Sequence, residues 1–238
     1  MKANIISSQR NVSFPFGIGV ASSHYTNLGG IQKFGYNPSV GGTVETLWAS
    51  GGTYAYISTA GTAAVTTSST DDNNGTVEIQ GLDANYNLQT VTATIAGSAT
   101  TETFIRVFRV RMLTPGSGQT TNVGNITVTV DSTTAAYIPA GEGQTLQAVY
   151  TVPAGKRAYL LSVVGGTEKE KEITMKLVAR PSGGSFNAKV YETYRTRLNR
   201  TYNINEVFDE KTDIELRVKA DADTGVSGGF ELLLEDKL

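Results

Sequence analysis

From Thr43 onward, apolar residues recur at every second position in short runs. A two-residue period is that of a strand with one face turned inward. Val77-Glu78-Ile79-Gln80, Val91-Thr92-Ala93-Thr94-Ile95, Ile126-Thr127-Val128-Thr129-Val130, Ile173-Thr174-Met175-Lys176-Leu177, Ile214-Glu215-Leu216-Arg217-Val218 and Phe230-Glu231-Leu232 all alternate in this way. Between them lie Asp72-Asn73-Asn74-Gly75, Asn85-Tyr86-Asn87, Thr114-Pro115-Gly116-Ser117-Gly118, Pro139-Ala140-Gly141, Pro153-Ala154-Gly155 and Pro181-Ser182-Gly183-Gly184, whose Pro, Asn and Gly supply the dihedrals of turns. No helix-length window carries an apolar stripe at i, i+3, i+4 and i+7, which argues against crossover helices and a parallel sheet. The predicted fold class is all-β, an antiparallel β-sandwich or jelly roll in one or two tandem β units.

Residues 1–43 are rich in Gly, Ser and Asn, contain Pro15 and Pro38, and show no sustained period. They read as an extended N-terminal arm, either lying across a neighbouring subunit or simply irregular. The Gly-, Ser- and Thr-rich stretch from Thr114 to Val123 marks the boundary between an N-terminal β unit (44–115) and a C-terminal β-sandwich (116–238), although a hairpin loop inside one sandwich would look the same. Pro139-Ala140-Gly141 and Pro153-Ala154-Gly155 repeat one turn chemistry at two successive strand ends.

With 20 Lys and Arg against 22 Asp and Glu, the chain has no broad positive field, so neither nucleic acid nor a membrane surface is an expected partner. Its charge is concentrated but balanced in residues 151–238, which hold 14 basic and 14 acidic residues. Zero Cys removes disulfides and thiolate chemistry, and no apolar run approaches the ~20 residues of a membrane span or suits a signal peptide. A soluble protein made in the cytosol is expected.

The single His24 is too little for a His-ligated metal or a His-based triad, so no metal, cofactor or catalytic residue is expected, and the chain reads as a non-enzyme. Asp71-Asp72 and Asp221-Ala222-Asp223 lie in turns, where short acidic side chains cap backbone N–H groups. Glu168-Lys169-Glu170-Lys171-Glu172 alternates in sign, as a solvated edge or loop, or as a patch matched to a partner. Two Arg-rich groups are the candidate interaction residues. Arg106, Arg109 and Arg111 lie in an apolar strand with large side chains on both faces, suited to burial against a neighbouring subunit or to a central strand. Arg195, Arg197 and Arg200, flanked by Tyr194 and Tyr202, form the second group, with Glu206, Asp209 and Glu210 close enough in sequence to neutralise them.

Several segments carry a family likeness. They are Gly75-Thr76-Val77-Glu78-Ile79-Gln80-Gly81-Leu82-Asp83-Ala84-Asn85-Tyr86-Asn87, Phe104-Ile105-Arg106-Val107, Asn122-Val123-Gly124-Asn125-Ile126-Thr127, and Tyr150-Thr151-Val152-Pro153-Ala154-Gly155-Lys156 leading into Ala158-Tyr159-Leu160. Together, over residues 75–235, the chain resembles β-rich virion proteins of marine tailed phages. These are strand and turn signatures rather than catalytic ones. The resemblance implies a virion structural protein made in the host cytoplasm. Its leading form is a capsid decoration or cement protein, homo-oligomeric and bound to the major capsid protein or other virion subunits. A tail, adaptor or fibre subunit is the alternative, as is a glycan-binding receptor protein, for which the lone Trp48 is a poor stacking platform.

Overall fold

All six alternating runs fall on strands in a computed structural model, which describes residues 15–237. The described residues open with a short helix α1 (Phe16–Ala21) and continue through β1 (Leu28–Val40) and β2 (Glu45–Thr46). Seven strands follow: β3 (Gly61–Thr67), β4 (Thr76–Leu82), β5 (Leu88–Thr94), β6 (Thr103–Phe104), β7 (Arg106–Thr114), β8 (Ile126–Val130) and β9 (Thr133–Ile138). Then come β10 (Val149–Thr151), β11 (Lys156–Thr167), β12 (Ile173–Arg180), β13 (Asn187–Tyr194), β14 (Arg197–Thr201), β15 (Val207–Phe208), β16 (Asp213–Ala220) and β17 (Thr224–Asp236). The turns do what their residues suggest: Gly118, Gly141, Gly155 and Gly183 all have φ between 71° and 83°, the left-handed region that glycine enters without steric cost.

Among the described residues, four antiparallel sheets result. β3, β6, β8 and β9 form one in the order β6-β3-β8-β9, and β5-β4-β7 forms a second. The third runs β1-β17-β11-β14 with β15 also on β11, and the fourth β10-β16-β12-β13 with β2 on β16. The first two sheets make one β unit and the last two make another, and most of their buried apolar residues join in one cluster, with Trp48, Tyr54 and Val149 in a smaller second one.

The division of the chain differs from the one expected. β8 pairs with β3 from Ala63↔Val130 to Thr67↔Ile126, so the Thr114–Val123 stretch is a loop inside the first unit rather than a boundary. The buried Asp72 carboxylate ties that loop down, accepting from the Val123 N–H (2.7 Å), the Gly124 N–H (2.8 Å) and the Thr67 hydroxyl (2.7 Å). The expected arm also differs. Residues 1–14 lie outside the described residues, but residues 28–40 form a long edge strand on β17, from Leu28↔Glu235 to Val40↔Thr224, with Pro38 at a break in register. Pro is tolerated at such a place because no ladder N–H is needed there. The first unit is thus inserted between β2 and β10 of the second.

In the second unit, Gly35, Gly228 and Gly165 lie side by side across β1, β17 and β11. Their missing side chains let the sheets close up: a Cβ on Gly228 would come 2.7 Å from Met175 Cε, and one on Gly165 would come 2.6 Å from the Tyr194 hydroxyl. At Gly35 it would run into the Leu47 carbonyl, which cannot swing aside as a side chain can.

Gly35→Ala should therefore lower the unfolding free energy by about 2–3 kcal/mol in urea denaturation. Gly42→Ala, with nothing within 4 Å of its Cβ position, should stay within about 0.5 kcal/mol of wild type.

Candidate interaction site

The two units meet at Asp213, the first residue of β16, which is 2% exposed. Its carboxylate accepts from Arg106 Nε (2.7 Å) and Nη2 (3.0 Å) on β7, from Arg180 Nε (3.1 Å) and Nη2 (2.6 Å) on β12, and from the Thr151 hydroxyl (2.7 Å) on β10. Arg106 spends its remaining Nη1 donors on the Ile57 and Ile105 carbonyls, 2.8 and 2.7 Å away. Aromatic faces enclose the cations. Arg106 lies 5.1 Å from the Tyr56 centroid and 5.5 Å from that of Tyr86, while Arg180 lies 4.6 Å from Tyr56 and 4.7 Å from Phe186. One residue pair further along, the fully buried Glu215 bonds Arg217 and accepts from Thr46 (3.2 Å) and Tyr56 (3.4 Å). Burial pushes the Glu215 pKa up, and Arg217 only partly offsets this. A fixed carboxylate shared by two guanidinium groups has its desolvation cost offset only while every partner stays in place.

A second contact crosses the same joint. The Lys33 ammonium of β1 donates to the Phe108 carbonyl of β7 and stands 5.8 Å from the Phe108 ring. Burial, with the Arg109 charge adding to it, lowers the Lys33 pKa to about 7. Tyr54 completes the joint, its hydroxyl reaching the Val107 and Ala135 carbonyls at 3.1 and 3.0 Å.

The expected interaction residues separate into two places. Arg106 is 7% exposed and consumed by Asp213, so the surface that buries it is the second unit of its own chain rather than a neighbouring subunit. Arg109 is half-buried, and Arg111 is exposed and pairs through both guanidinium nitrogens with Glu78 (2.8 and 3.1 Å). Tyr194 is buried beneath Gly165, whereas Arg195, Arg197 and Arg200 are exposed around a half-buried Tyr202. The partners of these arginines differ from those expected. Arg195 bonds Glu172 (3.2 Å) and Arg200 bonds Glu192, while Glu206 pairs with Lys189, and Asp209 and Glu210 pair with Lys237. Sequence reading missed Asp213, Arg180, Tyr56, Tyr86 and Lys211, which are brought together from four separate segments.

Two concave places stand on the described surface near these groups. One is a shallow apolar depression of about 370 Å³ on the outer face of the sheet holding β1, where Phe34, Gly229 and Val164 form one cross-strand row and Tyr36, Ser227, Gly166 and Arg197 form the next. The other is a cleft of about 240 Å³ at the joint, lined by Tyr86, Arg106, Arg180, Lys211, Asp213 and the turn from Pro181 to Gly184. Among the described residues, no three His, Asp or Glu side chains converge as metal ligands would. Trp48 is 5% exposed, its indole N–H donating to the Gly52 carbonyl (3.1 Å), so its ring is not presented to a ligand.

Replacing Arg106 by Met should cost about 3–5 kcal/mol in chemical denaturation, because Asp213 keeps its burial and loses half its cations. Asp213→Asn should cost a similar amount, and the double variant should cost clearly less than the two together; additive losses would mean that the pair is not coupled. Lys33 sets a pH dependence. Between pH 7 and 10.5 the unfolded chain holds a proton that the folded chain has released, so stability should climb as the pH rises through that window. Below pH 7 both states are protonated and the cost of the buried charge is borne in full. Urea midpoints measured across this range should rise for wild type, and Lys33→Met should remove this component of the rise.

No known family model matches the chain, and no curated protein matches it at a significant level. Among solved structures, the infectious bursal disease virus Gt strain is similar over 94% of this chain and 78% of that one, at 10% identity and a TM-score of 0.21. The VP2 subviral particle of the same virus gives 89% and 73% coverage, 11% identity and a TM-score of 0.19. Its T13 particle gives 89% and 74%, 9% identity and a TM-score of 0.22. Likeness at this level is that of two strand-rich chains and says nothing about what this one does.

Proposed function

We propose that the chain is a non-enzymatic structural protein of a virus particle. In its sharpest form it decorates the outside of a tailed-phage head and stabilises the shell by protein–protein contacts. The observation that carries this reading is how the side chains are used. The carboxylates and guanidinium groups that could do chemistry are mostly spent on holding strands and loops together, as Asp213, Asp72, Arg106 and Arg111 are. What the surface offers instead is apolar and aromatic area on the second unit. Phe34 and Val164 flank the outer depression, Tyr191 is 60% exposed on β13, and Ile204 is 91% exposed between β14 and β15. Exposed apolar residues beside exposed Arg are the composition of a protein-binding surface. The resemblance of residues 75–235 to tailed-phage virion proteins supplies the particle. A stable interface buries roughly 1,200–2,000 Å² in total, which a sheet face and its neighbouring loops can provide.

Electron microscopy of purified particles, with the copy number measured by quantitative mass spectrometry, tests this. Hundreds of copies spread over the shell are expected, whereas copies confined to a tail ring or fibre would sink the decoration reading. Purified chain added to stripped heads should rebind, and Val164→Glu, which puts a charge on the outer face while leaving the core alone, should weaken that binding at least about tenfold.

A further inference from the structure

The cleft at the joint holds more positive charge than its own carboxylate balances. Arg106, Arg180 and Lys211 line it against Asp213 alone. Arg106 bonds through all three of its nitrogens, but Arg180 bonds Asp213 only through Nε and Nη2, and among the described residues its Nη1 has no acceptor. The Lys211 ammonium likewise has no acceptor among them, standing 5.5 Å from the Tyr86 centroid. One Arg180 nitrogen and the Lys211 ammonium therefore line one small cleft without a hydrogen-bond acceptor among the described residues, although Arg180 is paired with Asp213 and the Lys211 charge also acts on Glu210.

The backbone of the cleft is also unusual. Tyr86 and Lys211, which face each other across it, both adopt left-handed conformations, with φ of 66° and 62°. A bulky residue enters that region at a cost in free energy and stays only where its surroundings over-determine it. Here one segment holds both: Ala154 N–H donates to the Tyr86 carbonyl (2.9 Å) and Lys211 N–H donates to the Val152 carbonyl (2.7 Å). Strain of this kind clusters at ligand clamps.

We propose that the cleft is a receptor for a carboxylate, the side chain of an Asp or Glu presented by a neighbouring protein. The Arg180 guanidinium, beside the Tyr56 and Phe186 rings at 4.6 and 4.7 Å, keeps its Nη1 for a carboxylate oxygen, and Lys211 adds a point charge beside it. A volume of about 240 Å³ admits one such side chain and little more. Only the identity of the neighbour as a virion subunit rests on the reading above; the site itself belongs to this chain.

The test uses the purified chain with disodium glutarate as probe and sodium chloride at matched ionic strength as control. Glutarate should raise the Tm saturably, by about 3–5 °C at roughly tenfold over half-saturation. Lys211→Gly, which suits the left-handed backbone and so should fold, is expected to lose at least half of that rise, and Lys211→Arg to keep it. A rise equalled by chloride, or unchanged in Lys211→Gly, overturns the proposal. Because no particle enters the assay, failure here leaves the virion reading standing, and failure to find the chain on particles leaves the site standing.

Discussion

One buried carboxylate decides how the two halves of this protein sit together. Asp213 belongs to the second unit by its strand, yet two of the five bonds that its carboxylate accepts come from Arg106 of the first. Its environment excludes water, so the attraction is strong, and the same exclusion makes any missing partner expensive. Apolar surface alone would let the units slide over one another, since it is indifferent to direction. A guanidinium gripped through two nitrogens, stacked on Tyr56 and Tyr86 and bonded to the Ile57 and Ile105 carbonyls, permits one arrangement.

The second constraint is distance. The sheet holding β1, β17 and β11 lies close to its facing sheet because three neighbouring strands each place a glycine at the same level. On the opposite side the register leaves Gly229, the neighbour of Gly228, between Phe34 and Val164, so the outer face is hollow there. The depression and the tight core are thus two sides of one sequence pattern.

Strands whose inward positions are apolar were legible from sequence alone, as β4, β8 and β12 illustrate. β1 was not, because the side chains that it turns inward are Lys33, Gly35 and Asn37, and no hydrophobic period can register them. β16 misled in a subtler way. Its alternation of Ile214, Leu216 and Val218 with Asp213, Glu215 and Arg217 suggests one dry face and one wet face, but the polar face lies under the first unit and Asp213 and Glu215 are buried as well. Alternation reports which residues differ, not whether water reaches both sets. The joint and its cleft stayed hidden for the same reason: Tyr56, Tyr86, Arg106, Arg180 and Asp213 are far apart in the chain, and only the pairing of strands brings them together. The β13–β14 arginines were recognisable as an exposed group, but the acids bonded to Arg195 and Arg200, Glu172 and Glu192, precede them in the chain rather than follow within ten residues.

The insertion of the first unit has a kinetic side. β1 is made before β17, which among the described residues is its strand partner, with Leu28 opposite Glu235. The inserted unit can assemble from contacts largely local to residues 61–138, while β1 waits with one inward lysine and a row of unpaired amides until β17 has been made. Closure of the larger sheet is then a late, non-local event, slow in proportion to the loop that it must close. During that interval the unpaired strand is open to pairing with the β17 of another nascent chain, so exchange of β1 between copies is the misassembly to which this topology is most exposed.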